Sequence, residues 1–205
     1  MHKMLLDIPS SIETERLIIK SYQKGDGKPY FSQLQANVDH LKEHADDVTT
    51  IQTEEQAEIR IREYIAGWVA RTRFVMPIWE KVSHTLLGQM WIEPKKWDVP
   101  LFEIGWFLDK AWEGKGIATE ATKGCLTFLF EDLNAHKVDV KVRETNTRSF
   151  QLAERCGFVK EGLLRDYIRV GDDLWIGLLC YGMLRSEYEK LKREWNVYPE
   201  EERKL

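Results

Sequence analysis

Apolar residues recur along the chain with two periods, near 3.6 and 2, and their order predicts helices alternating with strands. Ile117, Ala121, Cys125, Phe128 and Leu129 share one helical face. They predict a helix over about 116–133 that opens in the glycine turn Trp112-Glu113-Gly114-Lys115-Gly116. Leu101–Leu108 alternates as a strand, with Phe102, Ile104, Trp106 and Leu108 on one face and Glu103, Gly105 and Phe107 on the other. Gly105 inside it predicts a bulge or a close backbone approach. Helices are expected over about 26–43 and 53–73, the second opened by a Thr53-x-x-Gln56 capping box. Strands follow near 74–81 and 86–93 around a turn at Ser83-His84. After them come a strand at 137–142 and a helix capped by Asn146 and stopped at Gly157. The end of the chain reads as a docked helix over 186–195, with a Ser186-x-x-Glu189 cap, and a charged tail at 199–205. No repeat or linker breaks the series, so residues 1–205 are expected to form one domain.

The glycine turn carries the chemistry. A helix start offers unsatisfied backbone N–H groups and the positive end of the helix dipole, and glycine at 114 and 116 removes the Cβ atoms that would hold a diphosphate away. A Walker loop is excluded because Gly116 stands where Ser or Thr must follow Gly-Lys. A dinucleotide fingerprint is excluded because its third glycine would fall at Thr119 and its acidic residue at Asp139, within a strand.

Composition narrows the setting. With 205 residues and 43% hydrophobic content, the chain suits one domain with a full core. A net charge of −4 argues against nucleic acid and anionic membranes as partners. The apolar run at the start is too short for a signal peptide, and the longest such run, Trp175–Leu184, is about half of the roughly twenty residues a membrane span needs. Cys125, Cys156 and Cys180 are odd in number and lie in apolar settings, as reduced thiols of a cytoplasmic protein would. Trp79, Trp91, Trp97, Trp106 and Trp112 are expected to be mostly core, with one or two left to line an acceptor pocket. His40 and His44, with Glu43, Asp46 and Asp47, have helical metal-ligand spacing, but no third ligand with site-like spacing follows; a solvated helix end is expected, and no metal.

Taken in order, Thr14-Glu15-Arg16-Leu17-Ile18-Ile19, Glu103-Ile104-Gly105-Trp106, Gly114-Lys115-Gly116-Ile117-Ala118-Thr119-Glu120-Ala121, Asn146-x-x-Ser149 and Gly157-Phe158-x-x-Glu161-Gly162 resemble the GCN5-related N-acetyltransferases. Within that family they resemble the RimJ/RimL-type ribosomal-protein branch, a likeness that Arg165-Asp166, Gly171 and Tyr181 extend over about 12–188. The resemblance implies an α/β (α+β) fold with a mixed, mostly antiparallel sheet of about seven strands, the first at 14–19. That sheet would splay between its fourth and fifth strands and be flanked by about four helices and a short C-terminal one. It also implies transfer of an acetyl group from acetyl-CoA to a primary amine, the N-terminal α-amine of a ribosomal or other protein first. Small amines such as polyamines or aminoglycosides, and a non-catalytic acyl-CoA-binding module, are the alternatives. A homodimer is compatible with it.

By this resemblance the amides of Gly114, Lys115, Gly116, Ile117, Ala118 and Thr119 would cradle the pyrophosphate, and backbone groups of Trp106, Phe107 and Leu108 would pair with the pantetheine arm. Asn146 would reach that arm, a role compatible with its reading as a plain helix cap. Glu161 and Ser149 match the residues proposed as base and acid in RimL-like enzymes, and Glu103 is a second carboxylate candidate. Glu161 shares its strand face with Val159 and Leu163; either glutamate could equally serve a structural ion pair. The tyrosine that many relatives use as acid would fall at Ala153. The family's Gln or Arg at the head of the glycine turn is Glu113, whose carboxylate must turn outward or pair with Lys115 or Lys110 to tolerate a diphosphate.

Overall fold

The computed structural model describes residues 2–42 and 47–195; His44, Asp46 and the charged tail lie outside them. Eight strands form one sheet in the order β1-β2-β3-β4-β5-β6-β8-β7. They are β1 (Ser11–Glu13), β2 (Leu17–Lys20), β3 (Phe74–Glu80), β4 (Leu86–Lys96), β5 (Leu101–Leu108), β6 (Lys137–Arg143), β7 (Val159–Arg169) and β8 (Trp175–Leu184). The α-helical segments are α1 (Gly27–Ala36), α2 (Val38–Leu41), α3 (Asp47–Thr50), α4 (Glu54–Val69), α5 (Ile117–Thr127), α6 (Thr147–Arg155) and α7 (Arg185–Leu191). The first strand expected at 14–19 begins only at Leu17, because residues 14–16 turn the chain, and an additional strand, β1, precedes it and pairs antiparallel with β2. The sheet therefore has eight strands rather than about seven, and the parallel pair in it is β5 with β6. Their parallel ladder runs from Leu101↔Lys137 to Ile104↔Val140, while the strands continue to Leu108 and Arg143.

Contacts group the chain into two units, Met1–Glu93 with Trp106–Ala121, and Pro94–Gly105 with Thr122–Leu205. In the first, α1 to α4 bury Tyr22, Tyr30, Leu34, Leu41, Val48, Ile51 and Ile61 against Val75 and Phe107. The helix expected over 26–43 breaks at Asn37, whose buried side chain donates both to the Gln33 carbonyl and to Asp109. The helix expected over 53–73 ends at Val69. The Thr53 hydroxyl accepts from the Gln56 amide as a cap should, but the Gln56 side chain accepts from the Gln52 amide, one residue earlier than a capping box requires.

In the second unit Val138, Val140 and Val142 of β6 are buried and the intervening Lys137, Asp139 and Lys141 are not. Near its C-terminal end the helix predicted over 116–133 becomes a π-helical turn, Phe128–Asp132, that buries Phe128, Leu129 and Phe130. The expected cap at Ser186 gives way to Glu187, whose carboxylate accepts from the Leu184 amide and starts α7 at Arg185. Cys125, Cys156 and Cys180 are all free thiols, and burial pushes the Cys156 thiol up to about 12. All five tryptophans expected to be mostly core are half-buried. Among the described residues no helix is long and apolar enough to cross a membrane.

Candidate active site

The first unit holds the glycine turn. Asp109 caps a 3-10 turn at Lys110–Trp112 by accepting from the Ala111 amide, and the chain then passes through Gly114 at φ 72° and Gly116 at φ 78° before α5 begins. Both angles lie in the left-handed region that glycine enters without strain. A Cβ on Gly114 would meet no heavy atom within 4 Å, and one on Gly116 only Arg16 Nη2 at 3.5 Å. Both glycines therefore leave open space where a Cβ would stand, and the N-terminal amides of α5 follow directly.

Three groups fix that turn. Asn37 donates to Asp109 at 2.8 Å and accepts from the Lys110 amide at 3.0 Å, pinning its entry. His40 Nε2 lies 3.2 Å from Glu113 Oε1, so the carboxylate that departs from the family pattern is turned toward α2. Lys115 Nζ stands 4.3 Å from the centroid of the Trp112 ring. Arg16, in the turn between β1 and β2, donates to the Lys115 carbonyl at 3.0 Å and to Glu120 Oε2 at 2.7 Å. Glu120 also accepts from the Thr14 hydroxyl at 2.5 Å and from the Arg16 amide at 2.8 Å. Partial burial pushes the Glu120 carboxyl up, but these donors outweigh it and hold the group below its ordinary value. Upstream, Phe107 and Leu108 are buried and Trp106 half-buried, and the Asp109 amide donates to the Leu87 carbonyl at 2.7 Å.

The remaining candidates belong to the second unit. Asn146 caps α6 by accepting from the Ser149 amide at 3.1 Å, which leaves its amide NH2 as the group it can offer. Ala153 is wholly buried. Glu103 accepts from Lys141 at 2.8 Å and lies 3.4 Å from Lys95; its hydrogen bond holds the Lys141 ammonium above the ordinary lysine value. Glu161 accepts from Lys137 at 2.7 Å, and Asp139 lies 3.0 Å from the same ammonium. Burial opposes the Lys137 charge, yet the two carboxylates hold its pKa above the ordinary value. The register of β7 slips between Lys160 and Gly162, so Glu161 is a bulge residue and its carboxylate lies over Gly182 of β8. That slip interrupts the face expected to join it to Val159 and Leu163, and both of those residues are exposed.

The structure brings Asn146 and Ser149 together after the Arg143 end of β6 and ties Glu161 to Lys137 at its start. Sequence reasoning missed Arg16, Glu120 and Asn37 as anchors of the turn. Opposite charges in Thr14-x-Arg16 and Thr119-Glu120 were a signal, but no spacing rule pairs residues 104 apart.

A model of the acetyltransferase (GNAT) domain matches residues 16–159. The Bacillus subtilis protein YjcK, named a probable N-acetyltransferase, is 40% identical over 67 residues, 33% of this chain and 37% of its own length. The ribosomal protein uS5-alanine N-acetyltransferase of Escherichia coli is 31% identical over 72 residues, 35% of this chain and 37% of its own length. Each alignment therefore spans well under half of the relative. Among solved structures, RimL, a ribosomal L7/L12 α-N-protein acetyltransferase in complex with coenzyme A, superposes with a TM-score of 0.78 at 15% identity, covering 85% of this chain and 97% of its own. With the family model matched over 16–159 and the same fold in RimL, the chain belongs to the GNAT family of acetyltransferases.

Proposed function

We propose that the chain transfers an acetyl group from acetyl-CoA to a primary amine, and that the acceptor is the N-terminal α-amine of a protein. The observation that carries this is the glycine turn at 114–116, open above both glycines and anchored at its entry and at the Lys115 carbonyl. The amides of Gly114 to Thr119 would hold the diphosphate, and the backbone of Trp106 to Leu108 would pair with the pantetheine arm as an added strand does. The thioester supplies the activated acetyl group. Attack by the neutral amine places negative charge on the former carbonyl oxygen, which a backbone N–H of β5 would stabilise. An α-amine has a pKa of about 8, so a weak base or water suffices to free its lone pair, where a lysine near 10.4 would need a stronger one.

Of the two carboxylates, Glu103 is the better candidate for relaying that proton. It lies three residues before Trp106 on the same strand; both carboxylates are held by lysines, Glu103 by Lys141 and Glu161 by Lys137 at the start of β6. Ser149, beside the Asn146 cap, would return a proton to the departing thiolate. Relatives named for ribosomal-protein acetylation support the protein acceptor. The test is thiol release from acetyl-CoA in the presence of ribosomal-protein N-terminal peptides, the same peptides with blocked N-termini, and spermidine. Turnover confined to free N-termini supports the proposal. Turnover on spermidine alone makes the chain a small-amine enzyme, and none on any acceptor despite cofactor binding makes it a binding module.

A further inference from the structure

We propose that Arg16 is a positioning residue for the diphosphate, holding the glycine turn in its binding shape at the Lys115 carbonyl while Asn37 pins its entry. The proposal rests on the reading of that turn as the cofactor cradle. The geometry is a two-armed grip. One arm, Nη1, donates to the Lys115 carbonyl at 3.0 Å, the peptide between the two left-handed glycines. The other, Nε and Nη2, meets Glu120 Oε2 at 2.7 Å, and Glu120 stands in the first turn of α5. The guanidinium thus ties the middle of the turn to the helix whose amides follow it, a planar fork that no lysine can reproduce. Thr14 completes the grip by donating to the same carboxylate.

Charge gives the grip a second consequence. A carboxylate at 113 and another at 120 flank a turn meant for an anion. His40 stands against the first, and Arg16 with Thr14 engages the second. One N–H on each of Nη1 and Nη2 is left over by these contacts. Nη2 lies 3.5 Å from where a Gly116 Cβ would be, so a group seated over Gly116 sits beside a cation.

The test compares wild type with Arg16→Ala and Arg16→Lys in the full chain, by 15N relaxation of Gly114 and Gly116 without ligand and by titration with coenzyme A. Wild type should show a rigid turn, with order parameters near 0.85, and Arg16→Ala should drop them below about 0.6 while α4 and β6 stay rigid. Coenzyme A affinity should fall about tenfold or more, the scale of losing charge-assisted hydrogen bonds. Arg16→Lys, which keeps the charge and loses the fork, should recover only part of either effect. An unchanged turn in Arg16→Ala overturns the positioning role, and a loosened turn with affinity within twofold overturns its link to the cofactor. If Arg16→Ala does not fold, Arg16→Lys decides, and wild-type behaviour in both readouts overturns the proposal. A wild type that binds no coenzyme A refutes the functional reading, while the relaxation data still judge the grip.

Discussion

Glu120 concentrates more of the glycine turn's support than any single residue on it, accepting from Thr14 and from both the backbone and the guanidinium of Arg16. Because its folded pKa is depressed, its stabilisation is complete above the ordinary glutamate value of 4.5 and is lost as pH falls through the lower folded value. Glu120→Gln should lower unfolding stability at pH 7 by about 1–3 kcal/mol, and urea titrations should show that gap closing as the pH drops below 4.5. A gap independent of pH would mean the carboxylate's charge contributes nothing. The two candidate bases separate in the same way. Glu103→Gln should lower kcat by at least about tenfold. Glu161→Gln, which loosens a bulge at the far end of β6, should leave kcat within a few-fold. The reverse order in steady-state kinetics would return the proton relay to Glu161.

At the scale of elements, caps and glycines explain what could be read in advance. β5 occupies the residues its alternation marked, and Asn146 and Gly157 bound α6 as a side-chain acceptor and a left-handed glycine should. The helix expected over 26–43 failed because Asn37 serves tertiary partners. Its side chain leaves the helix for Asp109 and Lys110, and no local propensity encodes a partner 72 residues away. Asn37→Ala should therefore cost about 1–3 kcal/mol in chemical denaturation and loosen the entry to the turn, whereas a surface loss would cost less than 0.5 kcal/mol. Gly88 was not singled out by pattern, since it occupies an ordinary strand position. A Cβ there would run into the Phe107 carbonyl and lie 2.9 Å from Leu108 Cα. Gly88→Ala should push β5 off β4 and cost about 1–3 kcal/mol, lowering the melting temperature by several degrees.

For the whole molecule, the order of the motifs was legible and the meeting of their side chains was not. The glycine turn, its anchors and the helices α1 to α4 belong to one contact unit, and Glu103, Asn146, Ser149 and Glu161 belong to the other. Sequence patterns mark backbone features well, which is why the left-handed turn could be located from Gly114 and Gly116. They mark ion pairs poorly, so nothing in the chain's order announced that Lys141 and Lys137 would claim Glu103 and Glu161. The central claim is that the open turn binds the diphosphate of coenzyme A, and titration calorimetry of acetyl-CoA against wild type and Gly116→Trp tests it most directly. Micromolar binding in wild type, abolished in a Gly116→Trp variant that remains folded, is the predicted result. A folded wild type that binds no acetyl-CoA, or a Gly116→Trp variant that binds it as well as wild type, would contradict the account.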